Sequence, residues 1–265
     1  MRIIIANIIA IFRKELQSYF ASPLAYLVAV IFWLIAGLFF VPSLLGPEGI
    51  IQSVAQRDQL GIPGPPIDVA YEFLRFFLGI LGSLVLFLLP ILSMGLYAEE
   101  RKRGTLELLA TSPLTNWSVA VGKLLGVVTF FTFMLLPLMF YEAIVFSAAD
   151  PPLKLAVPLV AHLGLILLAA AILSLGMFIS SLTDSTILSA IMTFAVCLFL
   201  WLIELVTNVV SGGVGAVLSH LSLLQHYNNL IQGIIDTSSL VMLASYIILG
   251  VGLTAIFIET LRFQR

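Results

Sequence analysis

Residues 155–203 read LAVPLVAHLGLILLAAAILSLGMFISSLTDSTILSAIMTFAVCLFLWLI, forty-nine positions with a single charged side chain, Asp184. A helix needs about 20 apolar residues to cross a hydrocarbon core roughly 30 Å thick. The stretch holds two such lengths, Leu155–Thr183 and Ser185–Ile203, separated only by the tight turn at Ser181-Leu182-Thr183-Asp184. It therefore predicts an antiparallel helical hairpin through a bilayer. Working outward, four more runs of the same kind appear: Ala21–Pro47, Phe76–Ala98, Leu124–Tyr141 with an extension through Glu142 to Ala149, and Thr237–Ile258. Six such runs in 265 residues leave too little polar sequence to cover them in water. The whole chain is 61% hydrophobic and 10% charged, with mean hydropathy +1.15, against about 25% charged residues in a soluble domain. A water-soluble domain is excluded.

The predicted fold is all-α and polytopic, one membrane domain over 1–265 with spans at 24–43, 74–98, 118–146, 155–181, 186–208 and 238–260. No internal repeat is visible, and no connecting segment is long enough to bury a core of its own. The apolar start MRIIIANIIAIF is followed by Arg13-Lys14-Glu15 and a longer apolar run rather than a small-residue cleavage site, so it is read as retained. Over 3–20, Ile5, Ile8, Phe12, Leu16 and Tyr19 recur at helical spacing, with Arg13, Lys14 and Gln17 largely off that line. This predicts an interfacial helix that turns into the membrane at Ser22-Pro23; a simple anchor is its plainest role. The lone cysteine, Cys197, excludes an intrachain disulfide.

An even number of spans puts both termini on one side. Placing them in the cytoplasm gathers nine of the twelve basic residues inside, against Arg57, Arg75 and Lys154 outside, as the positive-inside rule requires. The net charge of −2 and the scattered Lys and Arg argue against nucleic-acid binding. On the outer side, Leu44–Glu72 is rich in Pro and Gly and predicts an irregular loop. Between Thr207 and Thr237 the chain stays apolar, with glycines at 212, 213 and 215; this predicts a break, a short helix and a partly re-entrant arrangement.

The densest polar cluster is the inner segment Glu99–Lys123, EERKRGTLELLATSPLTNWSVAVGK. Glu99 and Glu100 stand at helical spacings from Lys102 and Arg103, so the second span is expected to run on into the cytoplasm until Gly104 breaks it. Thr105 can cap a new short helix, Glu107 sits near its positive dipole end, and Pro113 limits it. Leu106, Leu109 and Ala110 give that helix an apolar face with no membrane or core at hand. Either the segment is a solvated turn whose charges set topology, or the apolar face docks a cytoplasmic partner. A further short helix is expected from Thr115 or Asn116, carrying Trp117 back to the interface. Gly122-Lys123 is not a phosphate loop, because Leu124 replaces the Ser or Thr that a magnesium ion needs. Gly213-Val214-Gly215 follows no strand and is no dinucleotide fingerprint.

Three ionisable groups fall inside the apolar runs: Glu142, His162 and Glu204. At about 1.5 Å per residue all three land toward the outer side, which suggests an outer-leaflet polar cluster lining an exit. The alternative is that the carboxylates reach interfacial water and His162 makes one interhelical hydrogen bond. His162, His220 and His226 have no metal-ligand spacing, and no metal site is expected.

The string EERKRGTLELLATSPLT followed by GK resembles the signature loop of type-two ATP-binding-cassette (ABC) exporter permeases, in particular their gliding-motility-type branch. RKELQSYFASPLAY resembles that family's interfacial helix, and SLLQHYNNLIQGIIDTSSLVMLASY its outer segment before the last span. Ser238-Ser239 departs from the charged residue that often follows the Asp-Thr pair there. The resemblance implies a permease subunit of an ATP-driven exporter in a bacterial cytoplasmic membrane, with no catalytic residues of its own. It also implies a homo- or heterodimer, each subunit engaging a separate cytoplasmic ATPase that binds the ATP and Mg. Carried over position by position, the coupling helix is Gly104, Thr105, Leu106, Glu107, Leu108, Leu109, Ala110, Thr111 and Ser112, preceded by Glu99, Glu100 and Arg101. A second reading is a membrane-embedded scaffold or mechanical transducer for an extracytoplasmic auxiliary subunit, moving no solute. An ion-coupled secondary transporter needs carboxylates near the midplane, and there the sequence is essentially uncharged.

Overall fold

The computed structural model describes residues 2–61, 67–106, 114–150, 152–207 and 213–263. It is all-helical, 86% helix. Among the described residues eleven helices follow in order: α1 (Arg2–Ala21), α2 (Pro23–Leu45), α3 (Ile50–Gln59), α4 (Val69–Ser93), α5 (Ala98–Lys102), α6 (Asn116–Ser147), α7 (Ala156–Leu182), α8 (Thr186–Thr207), α9 (Gly213–Leu221), α10 (Leu223–Ile231) and α11 (Thr237–Phe263). Six segments are long and apolar enough to cross a membrane, built on α2, α4, α6, α7, α8 and α11. The end of the bundle that carries α1 and α5 is called here the loop end, and the opposite one the distal end.

Helix starts follow local chemistry. Ser22 accepts from the Ala25 N–H at 3.4 Å ahead of Pro23, Asp68 from the Tyr71 N–H at 3.0 Å, and Thr115 from the Ser118 N–H at 3.4 Å. Each satisfies one of the orphan donors of a first helical turn.

α7 is the central post, packed against α4, α6, α8, α10 and α11. Its small residues make that crowding feasible. Gly176 lies against Ser93 of α4 and Thr193 of α8, Gly164 against Leu230 of α10, and Ser174 against Gly250 of α11. Without a hydrophobic drive between lipid-bathed helices, such close backbone approach and interhelical hydrogen bonds hold the bundle. Ser174 supplies one, its hydroxyl 3.2 Å from the Tyr246 carbonyl. α2 and α8 stand at the margin. α2 buries Ala25, Val28, Ala29, Phe32 and Ala36 on one side while Leu27, Leu34 and Leu38 face outward.

The structure departs from the expected pattern in three places. Leu44–Glu72 is not wholly irregular, because Ile50–Gln59 forms α3. The Pro and Gly cluster that masks this helix lies in its flanks. The second span does not continue straight into the inner segment. It ends at Ser93, passes through a turn at 94–97 and restarts as α5. Ser180 of α7 bridges the turn, accepting from the N–H groups of Tyr97 and Ala98, each at 3.0 Å, and donating to the Met94 carbonyl at 2.8 Å. The Thr105 hydroxyl donates back to the Glu100 carbonyl at 3.2 Å and Gly104 takes φ +70°, while the turn that Thr105 would cap, from 107 on, lies outside the described residues. Finally, the helix starting at Asn116 is no separate short element, since it runs unbroken for 32 residues as α6.

Ser180→Ala removes all three bridging bonds and leaves two main-chain donors in a site closed to water. The expected cost is about 2–3 kcal/mol, given that each orphaned buried group costs about 1–3 kcal/mol. A lowered unfolding midpoint of the detergent-purified protein reads it; an unchanged midpoint would mean that water replaces the hydroxyl.

Candidate functional site

α1 packs chiefly on α6. Its contact face runs through Ile8, Ile11, Glu15, Leu16 and Tyr19, while Ile3, Ile4, Ile5 and Ile9 are exposed. The expected apolar line is therefore shifted: Ile5 leaves the contact, and the one buried residue of α1 is an acid, Glu15. The reason lies in α6. Gly122 and Gly126, one turn apart, face Ile11 and Glu15 so closely that a Cβ at either position would come within 2.8 Å and 2.7 Å of those side chains. The glycine pair is a groove cut to the width of a helix, and α1 rotates to lie in it.

Between those glycines stands Lys123, 2% exposed. A buried ammonium needs counter-charge, and two helices provide it. Its Nζ lies 3.0 Å from Glu15 Oε1 of α1 and 2.9 Å from Glu100 Oε1 of α5, with the Tyr97 ring centroid at 5.0 Å. Lys14 closes the figure from the exposed side, 3.3 Å from Glu15 and 3.2 Å from Glu100. Burial works against the Lys14 ammonium, but the Glu100 and Glu15 carboxylates outweigh it and hold its pKa above the ordinary lysine value. Its contribution is therefore complete at neutral pH and fades only as pH climbs through that raised value. Two cations and two anions thus tie three helices together at the loop end and join the two ends of the inner segment, Glu100 and Lys123.

Of the coupling residues read from sequence, Glu99 pairs with Arg103 at 3.0 Å on the surface, and Arg101 donates to the Ser181 carbonyl at 3.0 Å. Glu100, Gly104 and Thr105 have the roles given above. Leu106 is half-buried and packs against the core, so at this position the expected absence of a core to meet is corrected. Glu107, Leu108, Leu109, Ala110, Thr111 and Ser112 lie outside the described residues.

Toward the distal end, Glu142 of α6 and His162 of α7 meet in the interior, Oε2 to Nε2 3.4 Å, both buried. The other ring nitrogen of His162 is 2.8 Å from the Pro158 carbonyl, which fixes it as the N–H and turns Nε2 toward the acid. The pair therefore needs one proton between them. Glu204 of α8 is bound elsewhere, accepting from the Asn228 side-chain amide of α10 at 2.9 Å. Among the described residues no hydrogen bond or ion pair joins it to the other two. Depth along a helix was legible; the angular position that decides who meets whom was not.

The sequence reading missed Glu15 and Lys123 as partners. The signal was present: an acid on the apolar line of an amphipathic helix, and a lysine flanked by Gly122 and Leu124 where an apolar run begins. Each charge in such a place calls for a mate of opposite sign.

No curated protein matches the sequence. The profile described as "ABC-2 family transporter protein" matches residues 9–265, a range that takes in most of α1, the ionic junction and all six candidate spans. With a two-glycine seat for α1 and a charged tie to the inner segment inside that range, the chain belongs to the ABC-2 transporter family and is a multi-pass membrane permease component.

Proposed function

We propose that the chain is the transmembrane permease subunit of an ATP-driven exporter in a bacterial cytoplasmic membrane, with both termini cytoplasmic. A separate cytoplasmic ATPase subunit binds ATP and Mg, and a second permease subunit completes the pathway. The observation that supports this reading is the buried Lys123 shared by Glu15 and Glu100. Glu100 stands four residues before Gly104, where the segment carried over as the coupling helix begins. A displacement of that segment reaches α5 first. Because Glu100 is bound to Lys123, and Lys123 to Glu15, α6 and α1 follow as one body. Ser180, pinning the turn between α4 and α5, makes that turn the pivot.

The test is Leu109→Asp, alone and combined with Leu106→Asp, followed by co-purification with the cognate ATPase. Loss of a buried apolar anchor at an interface costs 2 kcal/mol or more, so recovery of the ATPase falls by about tenfold or more. The single variant leaves the half-buried Leu106 intact and separates lost docking from misfolding. Undiminished association with full ATP-dependent export would refute the proposal. Retained association and ATP hydrolysis with no solute exported in the unaltered protein would instead favour mechanical work on an extracytoplasmic auxiliary subunit.

A further inference from the structure

At the distal end, α10 is clamped to the flank of α4. The Tyr71 hydroxyl donates to the Gln232 carbonyl at 3.2 Å, the Tyr227 hydroxyl donates to the Leu78 carbonyl, and Gly82 lies directly beneath the Tyr227 ring. Beside this clamp runs a groove of about 680 Å³, within the usual size of a small-ligand site of about 300–1,000 Å³. One wall is a single face of α4, with Glu72, Arg75, Phe76 and Ser83; the other is Asn228 and Gln232.

The groove's polar groups are unmatched within the protein. Among the described residues neither the Arg75 guanidinium nor the Glu72 carboxylate has a hydrogen bond or ion pair, although they stand one turn apart. The stretches outside the described residues at this end, 62–66, 151 and 208–212, contain no charged residue. Asn228, which lines the groove, spends an amide N–H on Glu204, and its side-chain carbonyl oxygen has no protein donor among the described residues. Arg75 lies six residues into α4, about 9 Å along the axis, near where headgroups give way to acyl chains. Below it Phe76 is 55% exposed, an apolar surface next to charges of both signs.

A solitary cation at this depth would simply meet lipid phosphate. Here an acid stands three residues away on the same helical face, at about 5–6 Å between Cβ atoms, and it repels a purely anionic headgroup while attracting an ammonium. We propose that this groove binds a zwitterionic phospholipid with a primary ammonium, of the phosphatidylethanolamine type. Arg75 takes the phosphate, Glu72 and the Asn228 carbonyl take the ammonium N–H groups, and Phe76 with Ile80 and Ile231 supports the upper acyl chain. Choline headgroups lack the N–H donors, and glycerol headgroups lack the cation. The site needs only a bilayer around the chain and stands independently of the ATPase partner.

The full chain is purified from a bilayer of equal parts phosphatidylethanolamine, phosphatidylglycerol and phosphatidylcholine, and retained lipid is counted by native mass spectrometry. Phosphatidylethanolamine is expected to be retained several-fold over both others. Arg75→Gln lowers its retention about tenfold, the loss of one charge-assisted contact. Glu72→Gln erases the preference over phosphatidylglycerol, so that the two lipids are retained equally. Both positions are on the groove surface, and an unchanged unfolding midpoint verifies that each variant is folded. Equal retention of the three lipids, or a preference that survives both substitutions, overturns the proposal. So does disulfide cross-linking of Ser83→Cys between two copies with no lipid retained, which would assign the groove to a subunit interface.

Discussion

Lys123→Met is expected to cost the folded state about 3 kcal/mol and to lower the unfolding midpoint by roughly 6–12 °C. The substitution preserves the length of the side chain and removes its charge, leaving Glu15 and Glu100 facing each other in a site nearly closed to water. Breaking a buried pair typically costs about 3–5 kcal/mol. The lower end applies because Lys14 stays within 3.3 Å of both carboxylates. The compensating variant distinguishes the charge from its consequences. With Glu15→Gln and Glu100→Gln added, no uncompensated buried charge remains, the unpaired Lys14 being exposed to water, and the midpoint returns most of the way, since neutral replacements of a buried ionic group are often well tolerated. ATP-dependent export, on the proposed function, stays impaired in the triple variant because the tie between α5, α6 and α1 is gone. A single variant whose midpoint falls by less than about 2 °C would show that the junction is not a stabilising element.

The second large effect concerns the seat of α1. Gly122→Val with Gly126→Val places branched carbons where Ile11, the Ile8 carbonyl and Glu15 already stand. Overpacking costs about 1–3 kcal/mol per site, and here it falls on one interface, so α1 lifts from α6 rather than the bundle opening. Ile8→Cys reads the change, because position 8 is half-buried in the seated helix and the native Cys197 is buried in the bundle. Its modification by a soluble maleimide is expected to accelerate at least about tenfold, the factor that 1.4 kcal/mol represents. Unchanged labelling would mean that the groove accommodates the added carbons and that close approach is not what fixes α1.

The fold was largely legible because lipid-bathed helices announce themselves through composition, and Asp184 alone, in a long apolar stretch, marks the hairpin of α7 and α8. What composition cannot give is rotation about a helix axis. Glu15 and Lys123 are 108 residues apart, and their meeting depends on how α1 turns to fit two glycines of α6. Similarly, Glu142 and His162 were placed at matching depth and do meet, while Glu204 at comparable depth finds Asn228 instead. The turn at 94–97 escaped notice because its main-chain groups are satisfied from a distant helix, by Ser180, which carries no local signature. α3 has no compositional signature of its own, because Gly46, Pro47 and Gly49 on one flank and the Gly and Pro residues from position 61 onward on the other dominate the segment.

The junction also has a direction in time. Both of its acids, Glu15 and Glu100, precede its buried lysine in the chain, and so does the whole of α1 precede the glycines that seat it. During synthesis, therefore, α1 lacks its main seat until the third span emerges, and before then only the Lys14–Glu100 pair and the Tyr19 hydroxyl on the Leu92 carbonyl are available to it. When it does, Lys123 arrives at two carboxylates already waiting and is never left at the bilayer margin without a counter-charge. The ionic tie that joins three helices in the finished protein is thus completed only when the third span emerges.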